Sequence, residues 1–245
     1  MNIHWIQSLC LVVALSCGFQ PDACFATTTA TTPPIRSLPA VKVESTTEAI
    51  HRLDKWIRED PDDALLYVNR AELFNSMGQY DEALHDSDKA LQLSSQSVEA
   101  HKQRALALSG VKKWPDALDD ADQYVERAPH SELALAYEMR GCIELRAEKF
   151  AAAIVDFNSA IQLNHDYAWL YLFRARAFNG FGVYDRAVKD CTKCLVLAKD
   201  PRNAYDWRCE ALALAARSQA NEKLGQHDLA QQDMRHYSEL LKQHK

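Results

Sequence analysis

Residues 64–97, ALLYVNRAELFNSMGQYDEALHDSDKALQLSSQS, decide the fold of this chain. Apolar residues recur in both halves of the stretch at the spacing of one helical face. They are Leu66, Tyr67, Ala71 and Phe74 before Gly78, and Tyr80, Ala83, Leu84, Ala90 and Leu91 after it. Gly78 permits the backbone angles that end a helix, and Asp81 can begin the next. The stretch therefore predicts a hairpin of two short helices, which needs neighbours to bury both apolar stripes.

The same frame recurs along the chain, mostly at a spacing of 34 residues. The alanines that mark it are Ala49, Ala83, Ala117, Ala153, Ala187 and Ala230. A large ring lies three residues before four of them, at Tyr80, Trp114, Phe150 and Tyr184, and His227 takes that place in the last copy. A small residue lies twelve residues before the last five alanines, at Ala71, Ala105, Gly141, Ala175 and Ser218. The repeat predicts a series of similar hairpins.

A helix-turn-helix unit of this length with small residues at its helix contacts resembles the tetratricopeptide repeat (TPR) proteins, from about Ser45 to the C-terminus. The resemblance implies an all-α, right-handed solenoid of hairpins. Residues 44–63 match a half repeat, and the full repeats cover residues 64–97, 98–131, 134–167, 168–201 and 211–244. Residues 202–210 are extra turns. Because glycine and proline are absent from Asn203 to Leu224, we expect one long helix there, carrying Tyr205 and Trp207 past the edge of the stack.

The first residues differ from the rest. Residues 1–26 contain no Lys or Arg, residues 6–19 are largely apolar, and small residues precede a cleavage position after Ala26. This pattern predicts a cleaved signal peptide and export to a periplasmic or extracellular location. An uncleaved N-terminal anchor and a lipid attached to Cys17 are the alternatives. Residues 27–43 are rich in threonine and proline, and we expect a disordered linker.

Opposite charges recur at fixed positions of the repeats. The arginines are Arg70, Arg104, Arg140, Arg174 and Arg217, and aspartates follow sixteen residues later at Asp86, Asp120, Asp156, Asp190 and Asp233. A planar guanidinium suits a carboxylate in a crowded place. We interpret the two rows as structural ion pairs within each hairpin. Pairing with the previous hairpin and an arginine row that binds an anionic partner are the alternatives.

Catalytic motifs are missing from the sequence. The histidines are scattered, no H-x-x-x-H, G-x-S-x-G or phosphate loop occurs, and we expect neither an enzyme nor a bound cofactor or metal. Cys191 and Cys194 form a C-x-x-C at helix positions that face the core, so we interpret them as buried small residues. A thiol or metal protein using this pair is an alternative, and so is a bridge from Cys209 to Cys191 or Cys194. The net charge of −6 gives no reason to expect nucleic acid.

The first helix of each repeat lines the concave face in proteins of the TPR family. That resemblance and the helical wheel predict a groove that binds an extended peptide or a helix of another protein. The predicted contact residues are Asn69, Glu72, Lys102, Gln103, Met139, Trp169, Leu172, Phe173 and Arg176. For Leu172 and Phe173, packing against a neighbouring repeat is the alternative. Glu99 and Glu138 would repel a peptide carboxylate, so a carboxylate clamp is not expected. The predicted function is an exported, non-catalytic scaffold, with a membrane-tethered assembly factor of the cell envelope as the alternative.

Overall fold

The computed structural model describes residues 45–199 and 206–244. The predicted signal peptide (1–26) and linker (27–43) lie outside these residues. The described residues form helices and no strand. The helices are α1 (Thr46–Glu59), α2 (Ala64–Ser76), α3 (Tyr80–Leu93), α4 (Val98–Gly110), α5 (Trp114–Arg127), α6 (Leu133–Arg146), α7 (Phe150–Leu163), α8 (Ala168–Phe181), α9 (Tyr184–Ala198), α10 (Trp207–Lys223) and α11 (His227–Gln243), with a short 3-10 turn at His130–Glu132.

Several helices begin where a polar side chain accepts a hydrogen bond from the first turn. Ser45 and Glu48 form a reciprocal capping box at the start of α1. Asp63, Ser97 and Asp206 cap α2, α4 and α10, each by a side-chain oxygen that accepts a backbone N–H of the first turn. These caps satisfy N–H groups that the helix itself leaves without partners, and they fix where each helix begins.

The structure divides into two compact units, with the boundary between Lys113 and Trp114. In the first unit α1, α2, α3 and α4 pack in sequence, and α2 also contacts α4. One apolar cluster joins Tyr67, Val68, Leu91 and Ala100, with Ile57 of α1 against it. A second cluster joins Ala71, Ala83 and Ala107. The small residues at these positions allow the helices of the first unit to approach closely.

In the second unit each of the helices α5 to α11 packs against the next. The helices α6, α8 and α10, which each open a hairpin, also contact one another in order. One apolar cluster of this unit includes Leu172, Phe178, Ala187 and Leu197. The repeated small residues Ala175, Ala187 and Ala153 are fully buried. The hairpins of this unit therefore share a continuous apolar core, as a stack of repeats requires.

The turns inside the hairpins use left-handed backbone angles. Gly78, Gly182 and Gly225 have φ values of 72°, 84° and 75°, and Lys112 and Glu148 take the same place in their repeats with φ values of 63° and 58°. Glycine adopts this conformation without the steric cost that a side chain adds. The glycines of the repeat are thus explained by the sharp turn that reverses the chain.

The prediction of one helix from Asn203 is wrong, because α10 begins at Trp207. Asp206 has an extended backbone, and its carboxylate accepts the N–H of Arg208, which caps the helix there. The ring of Trp207 stacks on His244 with 4.7 Å between centroids, and it packs against Ala211, Leu214 and Leu240. Trp207 therefore covers the last hairpin. Tyr205 lies outside the described residues. Within the described part of the chain, every helix is too short or too polar to span a bilayer.

Candidate functional site

The recurring arginines lie where three helices meet. Nε and Nη2 of Arg70 donate to the two carboxylate oxygens of Asp86, each at 2.7 Å, across the α2–α3 hairpin. Nη1 of Arg70 donates to Asp54 of α1 at 2.6 Å. Hydrogen bonding to Asp86 raises the pKa of Arg70 above its ordinary value. One guanidinium thus joins its own hairpin to the helix before it.

The second unit repeats this arrangement. The forked pairs are Arg140 with Asp156, Arg174 with Asp190, and Arg217 with Asp233, at distances of 2.6 to 3.0 Å. The Nη1 groups donate to Asp122, Asn158 and Thr192 on the preceding hairpins, at 2.8, 2.7 and 3.2 Å. These three arginines thus pair with the aspartates of their own hairpins, as the sequence predicts, and their acceptors on the preceding hairpins do not belong to the aspartate row.

The remaining pair of the row is Arg104 and Asp120. Arg104 lies in the first unit, where Nη1 donates to Asp88 of α3 at 3.0 Å. Asp120 lies in the second unit and is buried. Because the two residues belong to different units, their pairing stays a prediction.

Five of the predicted groove residues are buried in the structure, so the prediction that they offer an open contact surface is wrong. Met139, Leu172 and Phe173 are 1%, 0% and 2% exposed. The ring of Phe173 lies between Phe157 and Trp169, with centroids 5.8 and 5.7 Å away. The reason is the close packing of α6, α8 and α10, which encloses side chains that a helical wheel places on the inner side.

The other two buried residues lie on α4. Gln103 is buried, and its side-chain and backbone oxygens both accept Nδ2 of Asn75, at 3.0 and 2.9 Å. Lys102 has a buried stem, and its Nζ donates to Glu99 at 3.0 Å. The side chain of Gln103, which was predicted to contact a peptide, thus forms a hydrogen bond between α2 and α4.

An exposed stripe runs along α2. We call Leu65, Asn69, Glu72 and Ser76 the α2 stripe, since they follow one another at the spacing of one helical face. Leu65 is 58% exposed although it is apolar, Asn69 and Ser76 are exposed, and Glu72 is partly buried. The stripe therefore contains the predicted contact residues Asn69 and Glu72 in an accessible position.

The electrostatics of the α2 stripe are set by Glu72 and by two residues of α4. Burial raises the pKa of Glu72, and the negative charge of Glu99 adds to this, while Lys102 acts in the opposite direction. Two carboxylates thus share one ammonium group at this surface. A positive charge of a partner placed beside these two carboxylates would be attracted to them.

Trp169 and Arg176 are the predicted contact residues of the second unit that stay partly exposed. Both lie on α8, and the indole of Trp169 packs on the buried ring of Phe173. An aromatic ring held by a neighbour in this way offers a rigid apolar edge to a partner.

The sequence analysis missed a contact between successive hairpins. The ring of Tyr80 lies against Gly110, and the ring of Phe150 lies against Gly180, so closely that an added Cβ would approach ring atoms to 2.3 Å at both glycines. At the corresponding place Arg146 lies over the Trp114 ring at 5.1 Å. The repeated ring was visible in the sequence, and the two glycines thirty residues after it were the signal for its partner.

The cysteines of the C-x-x-C are buried in the core between α9 and α10, together with Cys209. Among the described residues no group of three or more His, Cys, Asp or Glu side chains is arranged to hold a metal ion. Burial raises the pKa of the Cys191 thiol, and the nearby Cys194 adds to this.

The comparisons with known proteins agree with this architecture. The model of the tetratricopeptide repeat family matches residues 53–85. No curated protein matches the chain in sequence. The solved structure of YrrB, described as a TPR protein with an unusual peptide-binding site, is 19% identical, with a TM-score of 0.58 over 78% of this chain and 93% of that one. PilW, described as a type IV pilus biogenesis factor, is 16% identical, with a TM-score of 0.67 over 77% and 82%.

A third solved structure is a tetratricopeptide repeat protein from Parabacteroides merdae. It is 20% identical, with a TM-score of 0.62 over 78% of this chain and 71% of that one. At these identities the likeness concerns the fold. The chain has the all-α fold of the TPR solenoids.

Proposed function

We propose that this protein is a non-catalytic scaffold that binds another protein through the first helices of its hairpins. The observation that carries the proposal is the α2 stripe, where an exposed leucine, an amide and a partly buried carboxyl follow one another along one helix. An exposed helix face of this kind can contact an extended or helical segment of a partner. YrrB, which has the same fold, is described as having a peptide-binding site.

The charges near the stripe select the kind of partner. Glu99 lies close enough to Glu72 to raise its pKa, and Lys102, whose Nζ is 3.0 Å from Glu99, supplies one positive charge beside the two carboxylates. A partner segment with an apolar side chain for Leu65 and a lysine or arginine for the carboxylates satisfies both features. A segment that ends in a free carboxylate does not.

Trp169 and Arg176 form a second contact region of the same function in the second unit. Trp169 is backed by Phe173, and rigid aromatic side chains are common at the centres of binding surfaces. Phe173 itself is not a contact in this proposal, because it is buried.

The test places a photoreactive amino acid at Asn69, at Trp169 or at Val155. Val155 is 62% exposed on α7, a second helix of a hairpin, and serves as the matched control. Illumination of cells that produce each variant is expected to join a partner to the positions 69 and 169 and to leave the position 155 without that adduct. Mass spectrometry then identifies the joined segment, which is expected to contain a basic and an apolar residue.

Two results would contradict the proposal. Equal adducts at the positions 69 and 155 would show contact without a preferred surface. A partner that is retained with unchanged affinity by the double variant Leu65→Ala and Glu72→Gln would remove the α2 stripe from the binding site.

We also propose that the scaffold acts after export, with residues 1–26 as its signal. Support comes from the apolar segment at residues 6–19 and the small residues before the position that follows Ala26. Cell fractionation with sequencing of the mature N-terminus tests this. A mature chain that begins at Thr27 agrees with the proposal, whereas a chain that retains Met1 in the membrane fraction supports the tethered alternative.

A further inference from the structure

Two cysteines on different helices lie in direct contact inside the second unit. Cys194 belongs to α9 and Cys209 to the first turn of α10. Their sulfur atoms are 3.3 Å apart, and the two residues are 0% and 1% exposed. Neither the recurring arginine–aspartate pairs nor the α2 stripe uses them.

The geometry of this contact is close to that of a disulfide. A disulfide places its sulfur atoms about 2 Å apart, and helices that already pack side by side satisfy the requirement that the backbones be near. The helices α9 and α10 are in extensive contact. The 3.3 Å contact between the sulfur atoms and the packing of the two helices therefore place the thiols within reach of a bond.

We propose that Cys194 and Cys209 form a structural disulfide that ties the fourth hairpin to the fifth. The oxidant is a disulfide reagent, either glutathione disulfide or a protein with an exchangeable disulfide. One cysteine thiolate attacks this disulfide and forms a mixed disulfide, and the first reagent thiol leaves. The other cysteine thiolate then attacks the protein-bound sulfur, and the second reagent thiol leaves. Two protein thiols are oxidised, and one reagent disulfide is reduced to two thiols.

The burial of the site determines when this exchange occurs. The hydrogen bond with Cys194 and the loss of water raise the pKa of the Cys209 thiol, so the thiolate is scarce in the folded protein. Exchange is therefore fast while the chain folds and slow afterwards. Once formed, the bond is shielded from reducing agents by the same core.

The third cysteine of the core, Cys191, stays reduced. It lies one helical turn before Cys194 on α9 and is fully buried. The proposed disulfide is not a bond within the C-x-x-C, since it joins two helices and not two positions of one helix.

The experiment uses the full chain, refolded from urea in a mixture of reduced and oxidised glutathione. Free thiols are then alkylated, and the protein is digested with trypsin under non-reducing conditions. Cleavage after Lys193 separates Cys191, in the peptide 190–193, from Cys194, in the peptide 194–199, while Cys209 lies in the peptide 209–217. The expected product is a linkage of 194–199 to 209–217, with the peptide 190–193 alkylated.

Matched variants make the test independent of a failure to fold. Cys191→Ser is expected to keep the linkage, and Cys209→Ser is expected to lose it and to leave Cys194 alkylated. Helical circular dichroism equal to that of the wild type shows that each variant is folded. Complete alkylation of the wild type, or a linkage that contains the peptide 190–193, would overturn the proposal.

Discussion

Glu144 differs in chemistry from its counterparts in two other repeats. The residue four positions after the arginine is Phe74 in one repeat and Phe178 in another, and the guanidinium lies 5.9 and 6.0 Å from those rings. After Arg140 the same place holds a carboxyl. Within the described residues, Oε2 of Glu144 is buried and accepts no hydrogen bond. Burial raises the pKa of Glu144 to about 8, and the charge of Asp156 adds to the effect.

Glu144→Gln is expected to stabilise the protein at alkaline pH. The folded pKa lies above the ordinary value of 4.5, so ionisation of Glu144 lowers the free energy of unfolding as the pH rises from about 4.5 to about 8. We expect the free energy of unfolding to rise by about 1–2 kcal/mol at about pH 9. This is less than the full pKa shift implies at about 1.36 kcal/mol per pKa unit, because the Glu144 residue as a whole is partly exposed. Below about pH 4.5 the gain should vanish.

Urea unfolding followed by circular dichroism measures this difference at several pH values. Glu148→Gln is the control, because Glu148 is exposed in the next turn. A gain for Glu144→Gln that is the same at all pH values would show that the charge of Glu144 has no part in it.

At the scale of the helices, the recurring arginines connect each hairpin to the helix before it. Arg70 reaches Asp86 on α3 and Asp54 on α1, and the exposed fractions of those two carboxylates are 1% and 31%. The same guanidinium thus makes one buried and one partly exposed ion pair. The difference in burial decides which partner matters for stability.

Asp86→Asn is expected to cost about 3 kcal/mol, because it leaves the partly buried charge of Arg70 without its forked partner. Asp54→Asn removes the other carboxylate by the same isosteric change and is expected to cost less than about 1 kcal/mol. Thermal and urea denaturation of the two variants measure the difference. Equal effects of the two substitutions would mean that the burial of Asp86 does not govern the strength of its pair.

The helices themselves were predictable because their signal is local. Apolar spacing, Gly78 and the recurring alanines depend on neighbours within a few turns, and the 34-residue period extends them to the whole series. The burial of Met139 was not predicted and that of Leu172 and Phe173 was only an alternative, because a helical wheel gives the direction of a side chain and not the distance to the next helix. The start of α10 depends on the cap formed by Asp206. This cap was not recognised, because no glycine or proline interrupts the helical pattern around it.

At the scale of the molecule, the two ends of a stack of hairpins have different requirements from its middle. The helix α1 has no partner helix of its own hairpin among the described residues, yet Ile57 packs on the cluster of Tyr67 and Val68. Without α1 this cluster would face water. We therefore expect the half repeat predicted from the sequence to cover the apolar cluster of the first unit.

Deletion of residues 45–60 from the full chain is expected to lower the midpoint of thermal unfolding by about 5 °C, since a loss of about 2 kcal/mol shifts a chain of this size by that amount. Greater self-association in sedimentation velocity should accompany it, because the exposed cluster is apolar. Deletion of residues 27–43, a segment of similar length, is the control and should leave the midpoint unchanged. An unaltered midpoint after loss of α1 would contradict its covering role.

The acceptors that the arginines reach on the preceding helix have one further consequence. The arginines of this row donate to acceptors at the same place on every second helix, α1, α3, α5, α7 and α9; the pairs are Arg70–Asp54, Arg104–Asp88, Arg140–Asp122, Arg174–Asn158 and Arg217–Thr192. Any hairpin of this series therefore offers its successor a compatible junction. A gene encoding such a chain can gain or lose a whole repeat by unequal recombination. In the shortened or lengthened product, each of these arginines still meets an acceptor on the helix before it.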